Sequence, residues 1–167
     1  MPYSDDSNIG DIQRLLEEYQ PKSVLDIGAG AGKYGRLVKR VLPETTTVHA
    51  VEVWGPYIKE FSLNEIYAKI YMMDVRNVSQ DVYDLYEFVI FGDVLEHMTK
   101  DEAVRVFDKV NSSAIISIPI VHWPQGHEHG NPYEEHVKDD WSVQEVLDTF
   151  PVRLIAESES TAVFFTG

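Results

Sequence analysis

The stretch Val24-Leu25-Asp26-Ile27-Gly28-Ala29-Gly30-Ala31-Gly32-Lys33-Tyr34-Gly35 sets four glycines within eight residues, directly behind a short apolar run. The run SVLDIGA reads as a buried strand. The stripe Tyr34, Leu37, Val38, Val41 and Leu42 that follows has helical spacing and is closed by Pro43. TVHAVEVW then alternates and is rich in valine, as strands are. Strand, glycine turn, helix and strand in succession constrain the chain to a crossover unit, in which the helix brings the second strand back parallel to the first.

The same alternation runs through the rest of the chain. Ile9, Ile12, Leu15, Leu16 and Tyr19 predict an amphipathic helix over residues 7 to 19, stopped by Pro21. GPYIKEFSLNEI reads as helix, and KIYMMDV, YEFVIFGDV and AIISIPI read as strands. Thr99 with Glu102, and Ser142 with Glu145, have the spacing of capping boxes ahead of two further helices. VRLIAES and TAVFFTG, tightly joined, read as an antiparallel hairpin. The expected fold is α/β: a seven-stranded sheet, six strands parallel and the last antiparallel, with helices on both faces and ligands at the carboxyl ends of the strands. Residues 1–167 are expected to form a single domain. Residues 121 to 140 form the one long irregular stretch, and irregular segments of that length are often functional.

Spacing separates three ligands that use such a glycine turn. A phosphate-cradling P-loop needs four residues before its Gly-Lys pair and Ser or Thr after it; Gly28 and Gly32 have three between them, and Tyr34 follows Lys33. A dinucleotide fingerprint puts a third glycine where this chain has Lys33. The third pattern is an acid with alternating glycines, D-x-G-x-G-x-G, and Asp26, Gly28, Gly30 and Gly32 satisfy it.

That segment resembles motif I of the class I S-adenosylmethionine-dependent methyltransferases, and later segments match the family in order. Glu52 ends the second strand, Asp74 ends the third, and D-V-L-E-H-M after the fourth is similar to the small-molecule methyltransferases of the ubiquinone-biosynthesis type. The resemblance implies the Rossmann-like methyltransferase fold, with S-adenosylmethionine as cofactor. It implies that Asp26, Gly28, Ala29 and Gly30 bind the cofactor at the glycine turn, that Glu52 takes the ribose hydroxyls, and that Val53 beside it also meets the cofactor. Asp74 and Val75 would meet the adenine, and Gly92 and Asp93 would line the pocket. The implied activity is methylation of a small-molecule or metabolite acceptor, at oxygen more than at nitrogen or carbon. A protein or RNA acceptor, a cofactor-binding module without turnover and a nucleotide-dependent oxidoreductase are the alternatives.

A hydroxyl acceptor is helped by a base near the methyl group, and His97, His122 and His136 are the candidates. His97 equally suits orientation of the loop after the fourth strand, and Glu96 a structural role. Four of the six histidines fall in VHWPQGHEHGNPYEEH, whose spacing fits no zinc pattern, so no metal site is expected. Trp123, Pro124, Tyr133 and Trp141 suit either a wall over the acceptor or anchors to the core. Asn131-Pro132-Tyr133 resembles a DNA-methyltransferase tripeptide but is displaced from the fourth strand.

Composition narrows the partners. A formal charge of −14 repels a phosphate backbone, so DNA is not expected. No window is apolar for long enough to span a membrane. MPYSDDSNIGD lacks the pattern of a secretory signal and there is no cysteine, which makes the cytoplasm the expected compartment. Oligomeric state is not legible.

Overall fold

The computed structural model describes residues 6–167, so the first five residues of the segment read for a secretory signal lie outside it. Seven strands form one sheet: β1 Ser23–Ile27, β2 Thr47–Val51, β3 Lys69–Tyr71, β4 Phe88–Gly92, β5 Ser113–Pro119, β6 Arg153–Glu157 and β7 Thr161–Phe165. Their order is β3-β2-β1-β4-β5-β7-β6. Pairings from β3 through β5 are parallel, and β7 runs antiparallel to both of its neighbours. This is the sheet expected from the sequence. The final hairpin places its second strand inside, because TAVFF is buried along its whole length while RLIAE is half exposed and takes the edge.

Among the described residues six helices cover the sheet: α1 Ile9–Tyr19, α2 Lys33–Val41, α3 Gly55–Glu60, α4 Gln80–Tyr83, α5 Lys100–Phe107 and α6 Val143–Thr149. Alternation of side chains along the strands divides the core in two. Leu25, Ile27, Val89, Phe91 and Ile116 meet Ala103, Val106 and Phe107 of α5 and Val146 of α6 on one face. Val24, Val48, Phe88 and Ile90 meet Ile12, Leu16, Leu37 and Val38 of α1 and α2 on the other. Burial of such side chains contributes about 1.5–3 kcal/mol each. Both faces being covered, β4 reads as an unbroken apolar run and is buried throughout.

Three local expectations change. The helix predicted over GPYIKEFSLNEI stops at Glu60, because Ser62 adopts a left-handed φ of 51° and restarts the chain as a 3-10 turn over Leu63–Glu65. The break lets Leu63 and Ile66 join the core beneath α2. The strand KIYMMDV ends at Tyr71, and the Asp74 carboxylate accepts the Arg76 backbone N–H at 2.9 Å to close a turn. The Thr99–Glu102 capping box forms in both directions. At α6 only half a box forms: Ser142 accepts from the Glu145 N–H at 3.2 Å, while the Glu145 carboxylate accepts from Lys100 and Lys138, each at 3.0 Å.

The chain runs from β1 out to β3 and returns to β4 on the other side of β1. The connections after β1 and β4 therefore leave in opposite directions and open a crevice at their carboxyl ends. No described helix is long and apolar enough to cross a membrane. Thr99→Ala removes the acceptor at the start of α5 and should lower the unfolding free energy by about 1 kcal/mol, read by urea denaturation.

Candidate active site

The crevice holds a cavity that opens to solvent at the carboxyl ends of the strands. Gly28, Ala29 and Gly30 form part of its wall. Gly28 has φ +71°, and a Cβ there would meet Val94 Cγ2 at 2.6 Å, so both conformation and space require glycine. The turn is fixed to the neighbouring strand: the Gly28 N–H donates to the Val51 carbonyl at 2.9 Å, and the Gly30 N–H donates to Glu52 Oε2 at 2.9 Å.

Glu52 is 4% exposed. Its second oxygen accepts from the Trp54 N–H at 2.7 Å. Burial raises its pKa, and the bonds from the Trp54 and Gly30 backbones oppose that rise. Glu52 and Val53 line the cavity, as do Asp74 and Val75 beyond β3 and Gly92 and Asp93 at the end of β4. Asp93 holds a left-handed φ of 53°, which is uncommon outside glycine. Asp74 is gripped by Arg76, whose Nε and Nη2 donate to its two oxygens at 3.0 and 2.6 Å. Burial works to raise the Asp74 pKa, but the side-chain bond, backbone bond and charge of Arg76 outweigh it, and the net shift is downward.

Asp26 is not part of this wall, which corrects its expected place among the cavity residues. Alternation along β1 turns it away from Ile27, onto the face that α2 covers. There it is 1% exposed, and Asp26 Oδ2 accepts from the Tyr67 hydroxyl at 2.5 Å. Tyr67 in turn accepts from the Gly35 N–H at 3.2 Å. Asp26 therefore braces the first turn of α2 from behind. Burial lifts its pKa to about 7, the Tyr67 bond opposing and the charge of Glu52 adding to the rise.

Of the three histidines, only His97 lines the cavity. His136 stands behind it, with ring centroids 5.0 Å apart. His122 is well exposed, its Nδ1 3.6 Å from the Asp139 carboxylate, so the structure removes it from the site. His97 Nδ1 bonds the Glu135 carbonyl at 3.1 Å and His136 Nδ1 bonds the Trp123 carbonyl at 2.7 Å. Burial lowers both pKa values, that of His97 to about 4, with the carbonyl bonds opposing. Both rings are therefore neutral at pH 7. A carbonyl oxygen only accepts, so each Nδ1 carries the proton and each Nε2 carries a lone pair. A base whose conjugate acid titrates near 4 takes protons poorly at neutral pH.

Glu96, 1% exposed, completes a cluster with these rings: one donor atom each from Glu96, His97 and His136 lie within 4.8 Å of one another. Neither Glu96 oxygen has a hydrogen-bond partner at bonding distance among the described residues. Burial, then the charge of Asp93, raises its pKa well above the carboxylate range.

Tyr57, Asn131 and Glu134 line the cavity without having been candidates from the sequence, whereas Tyr133 was one of the candidate wall residues. Tyr57 of α3 donates to Glu134 Oε1 at 3.0 Å and joins the helix to the irregular stretch. Asn131, Tyr133 and Glu134 fold back to line the cavity, through a turn in which Asn131 Oδ1 accepts the Tyr133 N–H at 2.9 Å. An Asn-Pro pair is a turn signal, and it is the one cue that was available. Trp123 and Pro124 stay exposed, whereas Trp141 is buried in the core against Phe150.

No protein-family model and no curated protein matches this sequence. Among solved structures, the chain is similar to a candidate O-methyltransferase from Nostoc punctiforme, with a TM-score of 0.68 and 16% identity over 96% of this chain and 56% of that one. It is similar to the N-terminal domain of EvdMO1 with S-adenosylhomocysteine bound, with a TM-score of 0.68 and 12% identity over 95% and 79% of the two chains. A third is a 1,6-didemethyltoxoflavin-N1-methyltransferase from Burkholderia thailandensis, bound to 1,6-didemethyltoxoflavin and S-adenosylhomocysteine. Its TM-score is 0.63 at 14% identity, over 96% of this chain and 78% of that one. The chain thus has the Rossmann-like methyltransferase fold, and it spans little more than half the length of the Nostoc protein.

Between about pH 4 and 7 the folded protein holds a proton on Asp26 that the unfolded chain, at its ordinary 3.8, releases; raising the pH across that window removes stability. In urea unfolding, the stability of wild type relative to Asp26→Asn should fall from pH 4.5 to 7 and level off above 8. A flat difference would contradict the buried, proton-holding carboxyl.

Proposed function

We propose that this protein is an S-adenosylmethionine-dependent methyltransferase, organised as a single domain over residues 1–167, acting on a small-molecule or metabolite acceptor at oxygen in preference to nitrogen or carbon. The observation that carries the reading is that the glycine turn, the buried Glu52 carboxylate, Asp74 and Asp93 wall one cavity at the strand ends. The names of the compared proteins support it: an O-methyltransferase assignment for one, and bound S-adenosylhomocysteine in two. The likeness of D-V-L-E-H-M to the ubiquinone-biosynthesis type supports a metabolite acceptor.

The donor set fits the cofactor. A carboxylate accepts only, and Glu52 retains acceptor capacity beyond its two backbone bonds, which suits a pair of ribose hydroxyls. The Cβ-free turn at Gly28 packs close against Val94, and the backbone of Gly28, Ala29 and Gly30 faces the cavity where the methionine portion would lie. Arg76 keeps Asp74 ionised beside the Val75 backbone, as an acceptor for the adenine amino group. Glu52, Asp74, Asp93 and Glu134 give the cavity a negative field that favours a sulfonium. When bound, S-adenosylmethionine supplies a methyl group already carried on a good leaving group. The remaining task of the chain is alignment of the acceptor, for which Tyr57, Tyr133 and Glu134 supply the wall beside His97. His97, in the cavity wall with the His136 ring packed behind it, remains the candidate beside the acceptor, and His122 lies outside that wall.

Incubation of the purified protein with methyl-labelled S-adenosylmethionine and a metabolite extract should transfer label to a small molecule; label found only on protein or RNA, or nowhere, would overturn the reading. S-adenosylhomocysteine should raise the melting temperature and NAD should not. By calorimetry, Glu52→Gln should weaken S-adenosylhomocysteine binding by about 1.5–3 kcal/mol, because bonds to a charged acceptor are lost.

A further inference from the structure

Granted the methyl-transfer reading, on which this step rests, we propose that the acceptor carries a terminal phosphate or diphosphate group. That group lies on Arg36 and Arg40, in a groove between the start of α1 and α2, with Lys33 where the groove meets the cavity. Asp6, Ile9, Lys33, Arg36, Leu37 and Arg40 line the groove. Lys33 also lines the cavity, so the two are joined through one side chain.

Charge is gathered here against the average of the chain. Acidic side chains outnumber basic ones by 28 to 14, yet α2 holds Lys33, Arg36, Lys39 and Arg40 and no acid. Positions 33, 36 and 40 are spaced i, i+3 and i+7, which sets them in a row on one helix face over a rise of about 10 Å. Arg36 and Arg40 are exposed. Arg36 donates to the carbonyls of Ala31 and Phe61 at 2.6 and 3.2 Å, and Arg40 donates to the Gln13 amide oxygen at 3.4 Å. Those acceptors are neutral, and among the described residues neither guanidinium has a carboxylate at ion-pair distance. Two positive charges are thus left uncompensated on a chain whose net charge is −14.

A guanidinium presents paired N–H donors that match phosphate oxygens two at a time, and an ammonium adds a point charge. Ile9 and the buried Leu37 set apolar surface beside these cations, which strengthens their attraction for an anion. Asp6 already places a carboxylate in the groove, 2.9 Å from the Lys33 ammonium and with its own side chain 84% exposed. An exposed ion pair of this kind is weak, so a phosphate, more highly charged and flanked by two arginines, displaces it. The cavity itself repels such a group, since Glu52, Asp74, Asp93 and Glu134 line it and Arg76 is held by Asp74 and Glu102. The acceptor is thereby oriented end to end, its anion on α2 and its reacting group in the cavity. The anion is a handle and takes no part in the bond changes. Nucleic acid fits less well, because its continuous phosphates would run from α2 onto the rest of a strongly acidic chain.

By calorimetry in low salt, inorganic pyrophosphate should bind wild type at one per chain, and roughly tenfold more weakly in Arg36→Gln and in Arg40→Gln. Lys22→Gln, which removes a positive charge just before β1 at the opposite end of the strands, should leave that binding unchanged. Circular dichroism verifies that each variant is folded, and Arg40, which holds no backbone carbonyl, keeps the test decisive if Arg36→Gln does not fold. In the labelled-extract reaction, treating the extract with phosphatase beforehand should abolish labelling, since phosphatase removes terminal phosphates and leaves the diesters of RNA. Arg40→Gln should lower labelling while its affinity for S-adenosylhomocysteine stays that of wild type. Pyrophosphate that fails to bind, or that binds wild type and Arg40→Gln equally, would overturn the anion site whatever the fate of methyl transfer. Label that survives phosphatase would overturn the handle and leave the methyltransferase reading standing.

Discussion

The hydrogen bond from the Gly30 N–H to the Glu52 carboxylate is the contact on which the arrangement of the cavity depends. It joins the turn after β1 to the residue after β2, two segments that the sheet brings side by side but does not itself align beyond Ile27 and Val51. Lost in a buried setting, it would leave a donor and a charged acceptor unsatisfied together, at a cost of several kcal/mol. The Gly28 bond to Val51 sets the height of the turn, and the Asp26, Tyr67 and Gly35 relay holds the start of α2 behind it. Two carboxylates thus divide the work: one supports the turn from the cavity side and one from the core side.

That division also explains what could and could not be read from the residues. Glycines at 28 and 30, an acid after β2 and another after β3 were legible because each sits at the end of a strand whose alternation and length the sequence displays. Asp26 was placed wrongly by motif likeness, although period-two alternation already put it on the opposite face from Ile27. The chain reversal at Ser62 was hidden, since nothing in LNEI distinguishes a continued helix from a fresh 3-10 turn. Glu145 has capping-box spacing, yet two lysines from elsewhere in the fold outcompete the single backbone N–H for its carboxylate.

The far side of the cavity was the least legible, for a different reason. Asn131, Tyr133 and Glu134 reach the cavity through an irregular stretch with no period to extrapolate, and their meeting with Tyr57 of α3 is a tertiary fact. The same holds for Glu96, His97 and His136. The first two are adjacent in the chain, but the third arrives from beyond β5, and only the Lys138 bond to the Glu96 carbonyl fixes where it lands. A cluster split in this way across the chain leaves no local spacing to read.

The position of β7 carries a consequence for biosynthesis. It is translated after β6 but lies between β5 and β6, so the apolar flank of β5 has no partner, and β6 has no sheet to join, until residues 161–165 have left the ribosome. During synthesis the growing polypeptide therefore presents an open strand edge of the kind that recruits other chains. Docking of Val163, Phe164 and Phe165 against β5 is the event that seals it.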